Sequence, residues 1–103
     1  MSVLLEFSMF PTDKGESVSD YVSRVIGMIR ESGLDYRLTP MGTIVEAETL
    51  EEILDLVGKA YKILEPDCGR VYSSLKLDIR KKGSGRLEAK VRSVEEKIGV
   101  VKK

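Results

Sequence analysis

Apolar and polar positions alternate with period two from Val3 to Phe10. Val3, Leu5, Phe7 and Met9 share one side, while Leu4, Glu6, Ser8 and Phe10 share the other. Such alternation predicts a strand with one face packed on a core. A polar turn, Pro11 to Glu16, follows. The period then changes: Val18, Tyr21, Val22, Val25, Ile26 and Ile29 recur at helical spacing. They predict a helix over Ser17 to Ser32, with Ser17 and Asp20 as a capping box and Gly33 as its stop. Leu34 to Leu38 and Thr43 to Glu48 read as two short strands, and Thr39-Pro40-Met41-Gly42 is a turn joining them in a hairpin. Thr49 and Glu52 form a second capping box. It opens a helix to about Leu64 whose stripe is Ile53, Leu56, Val57, Ala60, Tyr61 and Leu64. Arg70 to Arg80 predicts a strand about twice the usual length, long enough to extend beyond its own sheet. Arg86 to Ile98 predicts a last helix with Leu87, Val91, Val94 and Ile98 on one face, ended by Gly99.

This order predicts an α+β, ferredoxin-like βαββαβ sandwich with an extra C-terminal helix and a four-stranded antiparallel sheet. Residues 1–103 form a single domain in this reading. Right-handed crossovers set the first strand between the third and the last. The two main helices cover one sheet face and leave the other open. On that open face Leu4, Phe10, Ile44 and Tyr72 mix with Glu6, Glu46, Lys76, Asp78 and Arg80. An apolar patch of this kind implies a partner, and a second copy of the chain is the simplest one. Charges covered by such a partner must pair with one another or meet a ligand.

Composition narrows the chemistry. Lys+Arg and Asp+Glu number 17 each, so no net charge draws the chain to nucleic acid or an anionic membrane. There is no histidine, tryptophan, asparagine or glutamine. Without histidine the chain lacks the usual general base near neutral pH and the commonest nitrogen ligand for a metal, so no metal site is expected. The lone Cys68 can form no internal disulfide, which fits the reducing cytosol. The first ten residues have no basic leader or cleavage site, and no apolar run reaches the ~20 residues that span a bilayer. A lack of amides beside many Lys and Glu suggests a thermophilic source.

Three stretches are more specific. They are Ser8-Met9-Phe10-Pro11 with Ser17-Val18-Ser19-Asp20-Tyr21-Val22; Tyr36-Arg37-Leu38-Thr39-Pro40-Met41-Gly42-Thr43-Ile44-Val45-Glu46; and Arg70-Val71 leading to Lys76-Leu77-Asp78-Ile79-Arg80. Together, over roughly the first eighty residues, they resemble the thiamine-binding protein family. That resemblance implies a ferredoxin-like fold assembled as a dimer and commonly a tetramer. It also implies non-catalytic binding of thiamine or its hydroxymethylpyrimidine moiety at or near a subunit interface, with no cofactor. Carried over through the matching motifs, the ligand-binding residues are Ser8, Ser17, Ser19, Tyr36, Thr43, Glu46, Lys76, Asp78 and Arg80. The family's usual Pro-Leu-Gly-type turn after the first strand is replaced here by Phe10-Pro11-Thr12-Asp13-Lys14-Gly15.

The residue chemistry suits such a ligand. Hydroxyls of Ser8, Ser19 and Thr43 both donate and accept, as an aminopyrimidine requires, and ionised Glu46 and Asp78 accept. A thiazolium cation is favoured by a carboxylate or an aromatic face such as Tyr36 or Tyr72. Each residue also has a plainer role: Ser17 as an N-cap, Tyr36 and Thr43 as hairpin formers, and Lys76, Asp78 and Arg80 as an interface ion network. Catalysis is not expected, since no activated nucleophile or acid–base pair is evident. RNA binding is disfavoured by the balanced charge and a third strand without aromatics. The alternative is a regulatory module that binds an amino acid or other metabolite and acts on a partner protein, by fold analogy.

Overall fold

The computed structural model describes residues 1–103. Strand β1 (Ser2–Pro11) leads to helix α1 (Ser19–Glu31), then strands β2 (Asp35–Thr39) and β3 (Gly42–Ala47). Helix α2 (Leu50–Leu64), strand β4 (Val71–Arg80) and helix α3 (Arg86–Ile98) complete the chain. The four strands pair antiparallel in the order β2-β3-β1-β4, the ferredoxin-like arrangement.

β1 is the spine. Its apolar side, Val3, Leu5, Phe7 and Met9, is buried under α1 and α2. Val25 and Ile29 of α1 and Ile53, Leu56, Ala60 and Leu64 of α2 meet it. Burying side chains of this size contributes roughly 1.5–3 kcal/mol each. Cys68, just beyond α2, is buried at the margin of this core with its thiol free.

Three expectations are corrected. The Ser17–Asp20 capping box does not form, because α1 starts at Ser19 with Val18 as its N-cap and no side-chain cap bond. Ser17 is therefore one residue too early to reach the first turn's N–H groups. β4 does not run past its sheet; β1 is equally long, and the two pair from Ser2↔Arg80 to Pro11↔Val71. The second sheet face is also not left open, since α3 lies across β1, β2 and β3 on that side. Leu4 is buried there, away from the main core. The Thr49 box does form: its hydroxyl accepts the Glu52 N–H at 3.1 Å and donates to the Glu52 carboxylate at 3.1 Å.

Candidate functional site

The residues expected to bind ligand fall into two separate groups. Thr43 lines a cleft where α1 passes the end of β1 and the β2–β3 hairpin; Ser8 borders it from β1 with its side chain on the opposite side of the pleat, and Ser19 and Tyr36 line the hollow beside it. Glu46, Lys76, Asp78 and Arg80 lie on the other sheet face, and Ser17 is exposed in the loop before α1.

At the first place the hairpin turn folds toward α1 and leaves a cleft of about 390 Å³. Its walls come from Phe7 to Phe10, from Val18, Val22, Val25 and Ile26, and from Leu38 to Thr43. The turn is held by Thr39, whose hydroxyl donates to the Gly42 carbonyl at 2.8 Å and accepts the Met41 N–H at 3.2 Å. A second hollow, with Ser19, Tyr36 and Arg30 in its wall, adjoins it through the shared Val22, Ile26 and Leu38. The cleft is mostly apolar with a few hydroxyls, the usual lining of a small-molecule site. Thr43 is only 4 % exposed, yet its hydroxyl has no hydrogen-bond partner in the chain and still touches accessible space in the cleft. Its oxygen is thus open to water or to a ligand in the cleft. Phe10, also in the wall, has its ring centroid 5.9 Å from that of Tyr72.

On the other face, the charges are engaged within the chain. Glu46 accepts the backbone N–H of Arg86 at 3.1 Å and of Leu87 at 3.3 Å, together with the Ser2 hydroxyl. It thus caps α3, whose own N-cap residue, Gly85, has no side chain to do so. Burial raises the Glu46 pKa, but the Ser2 hydroxyl, the two N–H groups and the Arg86 charge outweigh that and hold it below the usual glutamate value. The buried Arg86 guanidinium donates to the Ser2 hydroxyl at 2.9 Å, the Ser2 carbonyl at 2.8 Å and the Asp78 carbonyl at 2.6 Å. It also pairs with the Asp78 carboxylate at 2.9 Å, and Lys90 joins at 3.2 Å. The Lys90 hydrogen bond lowers the Asp78 pKa most; burial opposes it, and the Arg86 charge adds to the lowering. Lys76 is exposed and reaches Glu6 only at 3.9 Å, while Arg80 makes no ion pair.

Sequence reasoning missed Ser2 and Arg86. One signal was present: a cation in the first turn of a helix opposes the helix dipole and implies a fixed acidic partner.

A ferredoxin-like α+β domain with a hydroxyl-lined apolar cleft beside its hairpin defines a small-molecule-binding class of protein. Residues 5–95 match the model of the thiamine-binding protein family. The chain belongs to that family. Similar proteins include an uncharacterised UPF0045 protein of Methanothermobacter thermautotrophicus, 37 % identical over 80 % of this chain and 84 % of its own length. The crystal structure of MJ1052 from Methanocaldococcus jannaschii superposes with a TM-score of 0.82 at 37 % identity, covering 92 % of this chain and 97 % of that one. A candidate thiamine biosynthesis/salvage protein of Thermotoga maritima superposes at 0.79 with 28 % identity, covering 91 % and 99 % of the two chains. No helix is long and apolar enough to cross a membrane.

Proposed function

We propose that the protein binds thiamine or its hydroxymethylpyrimidine moiety, without transforming it, in the cleft between α1, the end of β1 and the β2–β3 hairpin. The observation that carries this reading is the Thr43 hydroxyl, unpartnered within the chain and open to an apolar cleft, in a chain of the thiamine-binding family. The aminopyrimidine would exchange hydrogen bonds with Thr43, with the end of β1 from Phe7 to Phe10 forming the wall beside it. The thiazolium end would extend to the adjoining hollow, where Tyr36 and Ser19 lie. Leu38 and Met41 stand 61 % and 90 % exposed at the rim, so a second copy closing over the mouth would place the ligand near a subunit boundary. Glu46 and Asp78 serve this site through the fold, by fixing α3 on the sheet. A free thiol in the buried Cys68 suits work in the cytosol.

Isothermal titration calorimetry with thiamine, hydroxymethylpyrimidine and a panel of amino acids tests the reading. Heat is expected with the first two, and prolonged incubation should return the ligand unchanged. Heat with an amino acid alone would favour a regulatory module, and turnover of thiamine would make the protein an enzyme.

A further inference from the structure

The cleft and the hollow beside it hold one charged side chain between them. No residue lining the cleft is charged. The hollow, about 470 Å³, adds Arg30 and no carboxylate. The thiazolium ring of thiamine is a permanent cation. In this hollow it would meet no counterion and one like charge, which repels it. A phosphate ester on the hydroxyethyl arm reverses that balance. It carries about −1.5 to −2 at neutral pH, so the ligand brings a counterion for its own ring and a partner for the guanidinium.

Arg30 is free for that role. Its one acidic contact is the adjacent Glu31 at 4.0 Å, and its side chain is 71 % exposed. Its position also fits. Val22, Ile26 and Leu38 are shared by the cleft and the hollow and mark where the thiazolium would lie. Arg30 is four residues beyond Ile26 on α1, a step of about 6 Å along the helix. Tyr36 is two residues from Leu38 on β2, a similar step. The pairings Tyr36↔Val45 and Leu38↔Thr43 put both on the side of the sheet that faces α1. The arm and its phosphate would thus leave the ring in the direction of Arg30 and Tyr36.

Gly27 supports the same reading independently. It stands in the middle of α1, where glycine is the poorest helix former after proline. A Cβ at this position would meet nothing within 4 Å, so packing within the chain does not call for glycine. Gly27 follows Ser23 by four residues and precedes Arg30 by three, on the helix face that lines the hollow. Bare backbone there keeps the space beside the guanidinium open.

We infer that the protein takes thiamine as its phosphate ester and that Arg30 reads the phosphate. This rests on the thiamine reading of the cleft and adds the charge class of the ligand. Arginine suits the task because its planar fork meets two phosphate oxygens at once.

Calorimetry at low ionic strength with thiamine and with thiamine monophosphate tests the inference, on the wild type and three variants. The monophosphate is expected to bind the wild type about tenfold or more tightly than thiamine, the value of a charge-assisted hydrogen bond. Arg30→Gln should abolish that preference and leave thiamine affinity unchanged or slightly higher. Arg30→Lys should keep part of it. Gly27→Leu should melt at or above the wild-type temperature and lose about tenfold in monophosphate affinity. A monophosphate no tighter than thiamine, the same preference in Arg30→Gln, or full monophosphate affinity in Gly27→Leu would overturn the inference. If thiamine itself still binds in those cases, the cleft stands and only the phosphate reading falls. If neither form binds the wild type, both fall together.

Discussion

The carboxylate of Glu46 on β3 accepts the backbone N–H of Arg86 at 3.1 Å, forty residues further along the chain. This bond sets where α3 begins and holds it against the sheet. Substituting Glu46 with alanine removes a charged acceptor from two N–H groups and the Ser2 hydroxyl. The expected cost is about 2 kcal/mol. Urea denaturation should show it, and amide exchange should quicken first at Arg86 and Leu87.

The pH dependence follows from the same groups. Glu46 and Asp78 both have folded pKa values below their ordinary ones. A depressed carboxylate stabilises the fold above its unfolded pKa, about 4 for either residue, and that stability is lost as pH falls through the folded value. The urea midpoint is therefore expected to be flat from neutrality to about pH 5 and to fall below about pH 4. In Glu46→Gln the midpoint at neutral pH should be lower and the acid slope shallower. An unchanged slope would remove Glu46 from this account.

Thr43→Val keeps the shape of the side chain and deletes its hydroxyl. Because that hydroxyl has no partner in the chain, stability should hold or rise slightly. Thiamine affinity should weaken about five- to tenfold, the value of one hydrogen bond. Calorimetry beside a thermal melt reads both quantities. Equal affinity in the two proteins would move the ligand elsewhere.

Gly42 has φ of 155°, and a Cβ there would come within 3.1 Å of the Phe7 carbonyl oxygen. Gly42→Ala is expected to cost about 1–3 kcal/mol through backbone strain and crowding. It should also distort the cleft wall that the hairpin supplies. A melt unchanged from wild type would show that the hairpin relaxes freely.

Strand and helix positions were legible in the sequence because Val3 to Met9 and the stripes of α1 and α2 repeat at the period of the element they form. The cover on the second sheet face was not. Leu87 and Val91 show that α3 has a dry side, but not which surface it rests on. Glu46 stood out as an acid in a strand-forming run, and its parity was read correctly. Its partners lie at Ser2 and at the start of α3, a distance in sequence that no local pattern spans. Ser17 looked like a cap because spacing alone cannot tell a first turn from the residue before it. Ser8, Ser19, Tyr36 and Thr43 were picked from motifs, and these residues border one cleft and its neighbour, Ser8 with its side chain on the opposite side of the pleat from Thr43. The fold sets Lys76, Asp78 and Arg80 apart on the far strand.

The placement of β1 at the middle of the sheet has a consequence for how the protein is made. β1 leaves the ribosome before both its neighbours, β3 and β4, the second of which ends at Arg80. Its backbone edge toward β4 stays unpaired until the chain through Arg80 has emerged. Such late, long-range pairing slows folding and lengthens the interval in which a chaperone can bind. The nascent chain is thus most prone to stick to others while its centre still waits for its edges.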